Sequence, residues 1–554
     1  WYNLTAMKNN TNNKNYYTNS RDLQLLIDER FAEKVIPEND SVRLLDKIVE
    51  EMDLSALYGT YACTGRPTAI PPSTTLKIML YASMEGIRAP RQIQKRCERD
   101  MNYIWLLDGA PAPEFNHFER FRRDHLSKCT DTLLAQLVQK LAAMGEIRFE
   151  HLFVDGTKIE ANANKYSFVW KKATVKKTEK LYKKIHTELP TKLKECGIRF
   201  YIPEKIRIRQ LKKLRKRIHE RIEDEKIEFV SGKGKRKPLL QKLSEQVDEY
   251  IARLKQYAND IHICGDRNSY SKTDHDATFM RMKEDHMRNG QLKPGYNVNV
   301  ATCSEFIIGS YISSDKNDVH TLIPFAKQLN STYEGIRIGS INVDSGYESE
   351  ENYCWFEDHS ETELYVKPAN HDARKRRKYR TDISRRENMA YDAQANTYTC
   401  ANGKLLKETR QKKTHSDSGV EIITSVYECN ECTGCPLKEK CIRACGSKKP
   451  LEERSKVLYV SKRFARQREE MAAKISTPRG RLLRVNRSIQ AEGSFAYIKH
   501  DLDFRRFLLR GNVKVAAEWL LLSLALNILK LHHKIQNKRM GNGLVVPEHF
   551  PAGL

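Results

Sequence analysis

Three carboxylates in this chain stand where metal-assisted phosphoryl transfer would need them. Asp155 follows the apolar run Leu152-Phe-Val154, and Asp344 follows Ser340-Ile-Asn-Val343, so each is read as closing a β-strand. In an open sheet, ligands collect at the carboxyl ends of the strands. Glu492 lies in Gln490-Ala-Glu-Gly-Ser-Phe495, which is read as helix. Acids converging from two strands and a helix can hold two hard divalent cations roughly 4 Å apart, one activating the attacking oxygen and one stabilising the leaving oxygen. Any one of these acids alone is more often a turn or helix cap than a metal ligand. Lys499, seven residues past Glu492, shares its face on a straight helix and is placed to hold a phosphate oxygen. Arg487, five residues before Glu492, is off that face and reaches DNA only if the helix begins near Ser488.

A second group suits a different metal. Cys429, Cys432, Cys435 and Cys441 follow one another at short spacing, with Cys400 before them and Cys445 after. Soft thiolates in such knuckles make a closed structural zinc site; free buried thiols and an iron–sulfur cluster are the other readings. Asp266, Asp274 and Asp276, with His275, are read as metal ligands or as caps of loops and turns.

The elements that must position these groups follow from hydrophobic periodicity. Residues 21–145 read as a compact helical domain with basic faces, either DNA-binding or a plain helical bundle with a solvated basic surface: Leu44, Ile48 and Met52 recur at helical spacing, as do Leu76, Met79 and Leu80 after Pro71-Pro72. The strand ending at Asp155 opens a core expected over 146–165 and 264–368. It continues with strands Tyr296–Cys303 and Phe306–Ser313, a helix Val319–Leu329, the strand ending at Asp344, and a strand Leu364–Lys367. The core closes over 481–535 with helices Ser488–His500 and Val513–Lys534, and 536–554 is a tail. That order, on a mixed sheet, predicts an α/β protein with a ribonuclease-H-like core interrupted twice. The first interruption, 166–263, carries seams at Leu211, Leu214, Ile218, Ile222 and at Leu240, Leu243, Val247, Ile251, Leu254, and is read as a basic antiparallel helical hairpin. The second, 369–480, opens with the basic run Ala373-Arg-Lys-Arg-Arg-Lys-Tyr-Arg380 and holds the cysteines. Such a run is a solvated face or a track for a DNA backbone.

Composition sets the class of partner. Lys and Arg number 97 against 71 Asp and Glu, a net charge of +26, which suits a polyanion. Residues 1–20 read as a disordered leader without an apolar secretory segment. With 13 cysteines and no such signal, a reducing, cytoplasmic setting is expected. Trp519–Leu531, interrupted by Ser523, Asn527 and Lys530, is read as too short and polar for a bilayer, so no membrane partner is expected.

Several motifs together resemble the Asp-Asp-Glu transposases of bacterial insertion sequences, in particular insertion-sequence family eleven eighty-two. They are Phe153-Val-Asp-Gly-Thr-Lys158 with Glu160-Ala-Asn162, Ser271-Lys-Thr-Asp-His-Asp-Ala277, Lys293-Pro-Gly-Tyr296 and Val343-Asp-Ser-Gly-Tyr347. They continue with Arg487-Ser-Ile-Gln-Ala-Glu492, Phe495 and Lys499, then Arg505-Arg-Phe507 and Leu509-Arg-Gly511. The stretch from Arg66-Pro67 to Phe118-Glu-Arg-Phe-Arg122 resembles the helical N-terminal domain of such enzymes. The resemblance implies Mg2+ or Mn2+, two ions, on Asp155, Asp344 and Glu492, with Lys499 at the catalytic centre. It implies double-stranded DNA as substrate and target, contacted through Arg487, Lys499, Arg505 and Arg506, and a homodimer on that DNA. It favours Cys400, Cys432, Cys435 and Cys441 as the zinc ligands. The Tyr-Arg-Glu-Lys signature of related enzymes is matched only at Glu492 and Lys499: Val485 stands at the Tyr and Ser488 at the Arg, with Arg487 one place out. The alternative is a silent DNA-binding protein derived from such an enzyme.

Overall fold

The computed structural model describes residues 31–62, 68, 70–232, 235–282, 290–416, 418–442, 449–541 and 543–546. The leader, Arg66-Pro67, Cys63 and Cys445 fall outside them. Among the described residues the first part of the chain is helical, including α1 (Ser41–Glu50), α2 (Pro72–Met84), α3 (Pro90–Arg99) and α4 (Thr130–Ala143). Asp40 caps α1 by accepting from the Val42 amide, and prolines at the first turns of α2 and α3 start helices whose leading N–H groups need no partner.

The central sheet is mixed. It contains β1 (His151–Glu160), β2 (Leu292–Cys303), β3 (Phe306–Ser313), β4 (Ser340–Val343) and β5 (Glu363–Val366), in the order β3-β2-β1-β4-β5. The first three are antiparallel neighbours, whereas β1, β4 and β5 run parallel. A short strand, Thr278–Arg281, pairs with the start of β2. Ser304 and Glu305 both have positive φ, which lets two residues close the β2–β3 hairpin. Between β3 and β4 runs α5 (Leu322–Thr332), and between β4 and β5 α6 (Glu350–His359).

The segment 166–263 differs from the expected hairpin. Three helices share one apolar core: Lys171–Glu195, Ile208–Asp224 and Leu239–Cys264. The first was hidden by its lysines and by Pro190, yet its buried seam Leu181, Ile185, Leu189, Leu193 has regular four-residue spacing. The segment 369–480 holds a second sheet, formed by β6 (Ala390–Asp392), β7 (Thr397–Thr399), β8 (Leu405–His415), β9 (Glu421–Glu428) and β10 (Val457–Val460) in antiparallel succession. From it α7 (Lys462–Lys474) and α8 (Pro478–Arg487) lead back to the central sheet.

The last helix, α9 (Asn512–Gln536), is long and apolar enough by length and composition to cross a membrane, contrary to the shorter stretch read from sequence. Its most apolar window is 67% buried inside the protein, however, and Leu520, Leu521, Leu524, Ile528 and Leu531 join the core that also holds residues of α2, α4 and β3. Most of that apolar window is therefore covered by this chain's own helices and sheet.

Candidate active site

Strand pairing fixes two of the acids. β1 does not stop at Asp155: it runs on to Glu160, pairing Asp155 with Val300 of β2. What stops near Asp155 is its parallel neighbour. The β1–β4 register pairs Phe153 with Asn342, so two residues further on Asp155 and Asp344 leave adjacent strands at the same level. Asp155 is 6% exposed and accepts from the Gly156 amide (2.9 Å). Asp344 accepts from the Gly346 amide (2.8 Å), starting a short helical turn, Ser345–Tyr347.

Beneath them lies a polar layer that sequence reading missed. Tyr347, fully buried, donates to Asn299 Oδ1 (2.6 Å), which also accepts from Thr321 Oγ1 (2.9 Å). Asn297 donates to Asp318 Oδ1 (2.7 Å). A methyl group at Gly156 would meet Tyr347 Oη at 2.9 Å and Asp318 Oδ1 at 3.0 Å; one at Gly346 would meet Asp344 Oδ1 at 2.9 Å and Asp318 Oδ2 at 3.3 Å. Asp318 thus sits between the two glycines that follow the candidate acids. Burial, and then the charges of Asp318, Asp155 and Asp344, push the Tyr347 phenol well above its usual range. The signal was present in the sequence: Asn297 and Asn299 alternate with Tyr296, Val298 and Val300, too polar a face for a buried strand unless it meets partners.

Glu492 is held differently. The helix carrying it begins at Pro478, not near Ser488, and widens into π-type turns over Ser488–Glu492 and Tyr497–Asp501. A wide turn brings residues five apart onto one face. Arg487 accordingly reaches Glu492, with Nη2 2.5 Å from Oε1, while its Nη1 lies 3.9 Å from Asp155 Oδ2. Nη1 is buried without a hydrogen-bond partner. The Glu492 side chain is 51% exposed, whereas Lys499 is 7% exposed, so the two do not share an open face as a straight helix implied. Arg505 donates to the Lys499 carbonyl (3.2 Å) and pairs with Asp503, and Arg506 lies beside Asn162 and the Ala163 carbonyl. Both arginines are exposed.

Other candidates resolve as scaffolding. Asp274 accepts from Tyr296 Oη (2.7 Å) and the Gly511 amide (3.2 Å), and Asp276 from the Asn512 amide (2.9 Å). These two acids hold the start of α9, which an exposed helix N-terminus favours.

Among the described residues no three His, Cys, Asp or Glu side chains are gathered closely enough to hold a metal ion. Asp155 and Asp344 nonetheless offer hard oxygen donors at one level of the sheet, and Arg487 puts positive charge between Asp155 and Glu492, so the donor chemistry fits a divalent cation. The expected zinc shell is not formed. Cys400, Cys432 and Cys435 are near enough that their charges, after burial, push the Cys441 thiol up. Yet Cys429 and Cys432 are buried in the apolar core of the second sheet with Tyr398, Leu406 and Tyr427, and Cys432 Sγ accepts from the Lys456 amide (3.3 Å).

Comparison with protein families adds two findings. Residues 399–532 match the model of a transposase DDE domain, and residues 30–124 that of a transposase domain (DUF772). Both matches are to transposase domains. They support an insertion-sequence DDE transposase, a class that acts on DNA and generally uses divalent metals. The DDE-domain match takes in Cys400, Glu492 and Lys499; Asp155 and Asp344 precede it. No curated protein and no solved structure matches the chain.

Proposed function

We propose that this chain is a transposase that binds the ends of an insertion sequence, cleaves their phosphodiester bonds and joins the freed 3'-OH ends to target DNA. The observation that carries the reading is the emergence of Asp155 and Asp344 side by side from parallel strands, with Glu492 linked to Asp155 through Arg487. The strand order β3-β2-β1-β4-β5, antiparallel then parallel, is the support for a ribonuclease-H-like core, and the two transposase-domain matches support the activity. Family eleven eighty-two remains the proposed subgroup.

Two Mg2+ or Mn2+ ions held by Asp155, Asp344 and Glu492 would supply Lewis-acid activation of the attacking oxygen and charge neutralisation at the leaving oxygen. The chain's own residues do the rest. Asp155, buried on a strand paired on both sides, presents a fixed carboxylate. Arg487 lies between Asp155 and Glu492 and offsets their charge, the place where a divalent ion held by these acids would supply positive charge instead. Arg505 and Arg506 present exposed guanidinium groups to phosphates. Lys499, largely enclosed, holds charge near the Glu492 helix. We further assign a homodimer on DNA as the working assembly, and the cytoplasm as its setting.

The test is cleavage of a labelled element-end duplex with Mg2+, comparing the unaltered protein with Asp155→Ala, Asp344→Ala and Glu492→Ala. Loss of cleavage with DNA binding retained supports the reading. Binding without cleavage by the unaltered protein, or equal cleavage by the variants, overturns it in favour of a silent DNA-binding protein.

A further inference from the structure

Beside the second sheet lies a cleft of about 620 Å3, a size that suits a nucleotide-scale ligand. Its walls combine two features that rarely serve a solvated surface. One is aromatic. Tyr391 on β6 donates its hydroxyl to Asn396 Oδ1 (2.9 Å) and packs on Tyr398, with ring centroids 4.6 Å apart, yet 42% of the residue stays exposed at the cleft. The ring is held at its hydroxyl end and against one neighbour, leaving the remainder as a rigid platform. The other feature is charge. Five cationic side chains line the cleft against two carboxylates, Glu387 and Glu469. Among the described residues Arg374, Arg380 and Lys462 enter no ion pair; Lys462 donates to Asn396 Oδ1 (2.9 Å), the oxygen that also accepts from Tyr391, and Arg374 Nε is buried without a hydrogen-bond partner. A tyrosine platform ringed by unneutralised cations matches a base with its phosphates. Base pairs within a duplex expose edges rather than faces, so such a platform selects an unpaired base.

The cleft is also tied to the candidate acids. Lys462 and Arg466 reach it from α7, and Arg468 of the same helix donates two hydrogen bonds of 2.7 Å to Glu348, four residues after Asp344. The Glu348 carboxylate also accepts from the Ala369 amide (2.9 Å), which leads into the basic run.

We propose that this cleft receives one nucleotide of an unpaired DNA strand, its base stacked on Tyr391 and its phosphates held by Arg374, Arg380 and Lys462. The inference deepens the reading of the chain as a DNA-processing enzyme and rests on it for the identity of the strand.

Fluorescence anisotropy on the full chain tests it, with a dye-labelled twelve-nucleotide thymidine oligomer, a duplex of the same length, and thymidine monophosphate as competitor. Tyr391→Ala is expected to weaken single-strand binding about tenfold, and Tyr391→Phe to restore it, with duplex binding unchanged in both. Arg380→Ala is expected to lower the salt dependence of single-strand binding by about 0.7 in log–log slope, the loss of one phosphate contact. Single-strand binding that is absent from the unaltered protein, or unaffected by Tyr391→Ala, overturns the proposal. So does a parallel loss of single-strand and duplex binding in a variant whose melting temperature is unchanged. Competition by the monophosphate as effective per nucleotide as by the oligomer would make the ligand a free nucleotide and overturn the strand assignment. If Tyr391→Ala does not fold, Arg374→Ala with Arg380→Ala must show the same selective loss. Cleavage of element ends is read separately: its absence alongside a Tyr391-dependent preference would sink the transposase reading and leave the cleft standing.

Discussion

The two halves of the candidate site are built on opposite principles. Asp155 sits on a paired strand and Asp344 directly after its parallel neighbour, over the packed layer of Tyr347, Asn299, Asn297 and Asp318, where a single methyl group has no room. Glu492 rides on the exposed face of a half-buried helix of wide turns, next to Gly493, whose added Cβ would meet nothing within 4 Å. The difference teaches where rigidity is placed. Sheet register sets two acids before any ligand arrives, while the third is held by one guanidinium and is free to be redirected.

The largest expected effect separates the two by length of side chain. Asp344→Glu should abolish cleavage as fully as Asp344→Ala, about a thousand-fold or more, because the tight turn after the strand, packed against Asp318, cannot retreat to accommodate a longer arm. Glu492→Asp should cost only about ten- to a hundred-fold, the exposed side chain adjusting; equal losses in single-turnover rates at the two positions would break the comparison.

Next comes the link between the halves. Without divalent cation, Arg487→Ala should lower stability by about 1–3 kcal/mol in a urea melt, since it removes the guanidinium that faces the buried Asp155 carboxylate and pairs with Glu492. Mn2+ should recover more of that loss in the variant than it adds to the unaltered protein. Identical Mn2+ responses would mean that Arg487 does not compete with metal.

The glycines give a smaller and opposite pair. Gly156→Ala should destabilise by about 1–3 kcal/mol, through forced displacement of Tyr347 and Asp318. Gly493→Ala should be neutral or stabilise by up to about 1 kcal/mol, from helix propensity in open space. Thermal melts of both variants decide it.

The smallest effect is a control outside both regions. His117 is held by Thr75 Oγ1 (2.9 Å) and its pKa is pushed below 6.5 by burial and then by Arg120 and His125. A histidine kept neutral in the fold contributes stability that is complete above pH 6.5 and is lost as pH falls toward the lower folded value, because the unfolded chain takes the proton first. The melting temperature should therefore fall between about pH 7 and 5, and fall less in His117→Gln.

Much of the central sheet was legible because several of its strands contain apolar runs bounded by acids, glycines and turns. Ser340–Val343 and the hairpin about Ser304-Glu305 sit where the pattern put them. Asp155 was misjudged as a strand end, since period alone cannot tell where one strand stops from where its neighbour does. The helix Lys171–Glu195 was lost to its lysines and Pro190, although its seam was regular. Asp318 and Tyr347 left only an indirect trace, the buried Asn297 and Asn299, because partners across a sheet carry no sequence spacing.

The sequence by itself determined which acids could be catalytic, where strands and helices alternate, and that the surface is basic, since these follow from residue type and local period. Only the tertiary structure decided that Asp155 and Asp344 stand at one level, that Arg487 reaches Glu492, and that Lys499 turns inward. Register between strands far apart in the chain, and the widening of a helical turn, depend on packing against neighbours that no local pattern encodes.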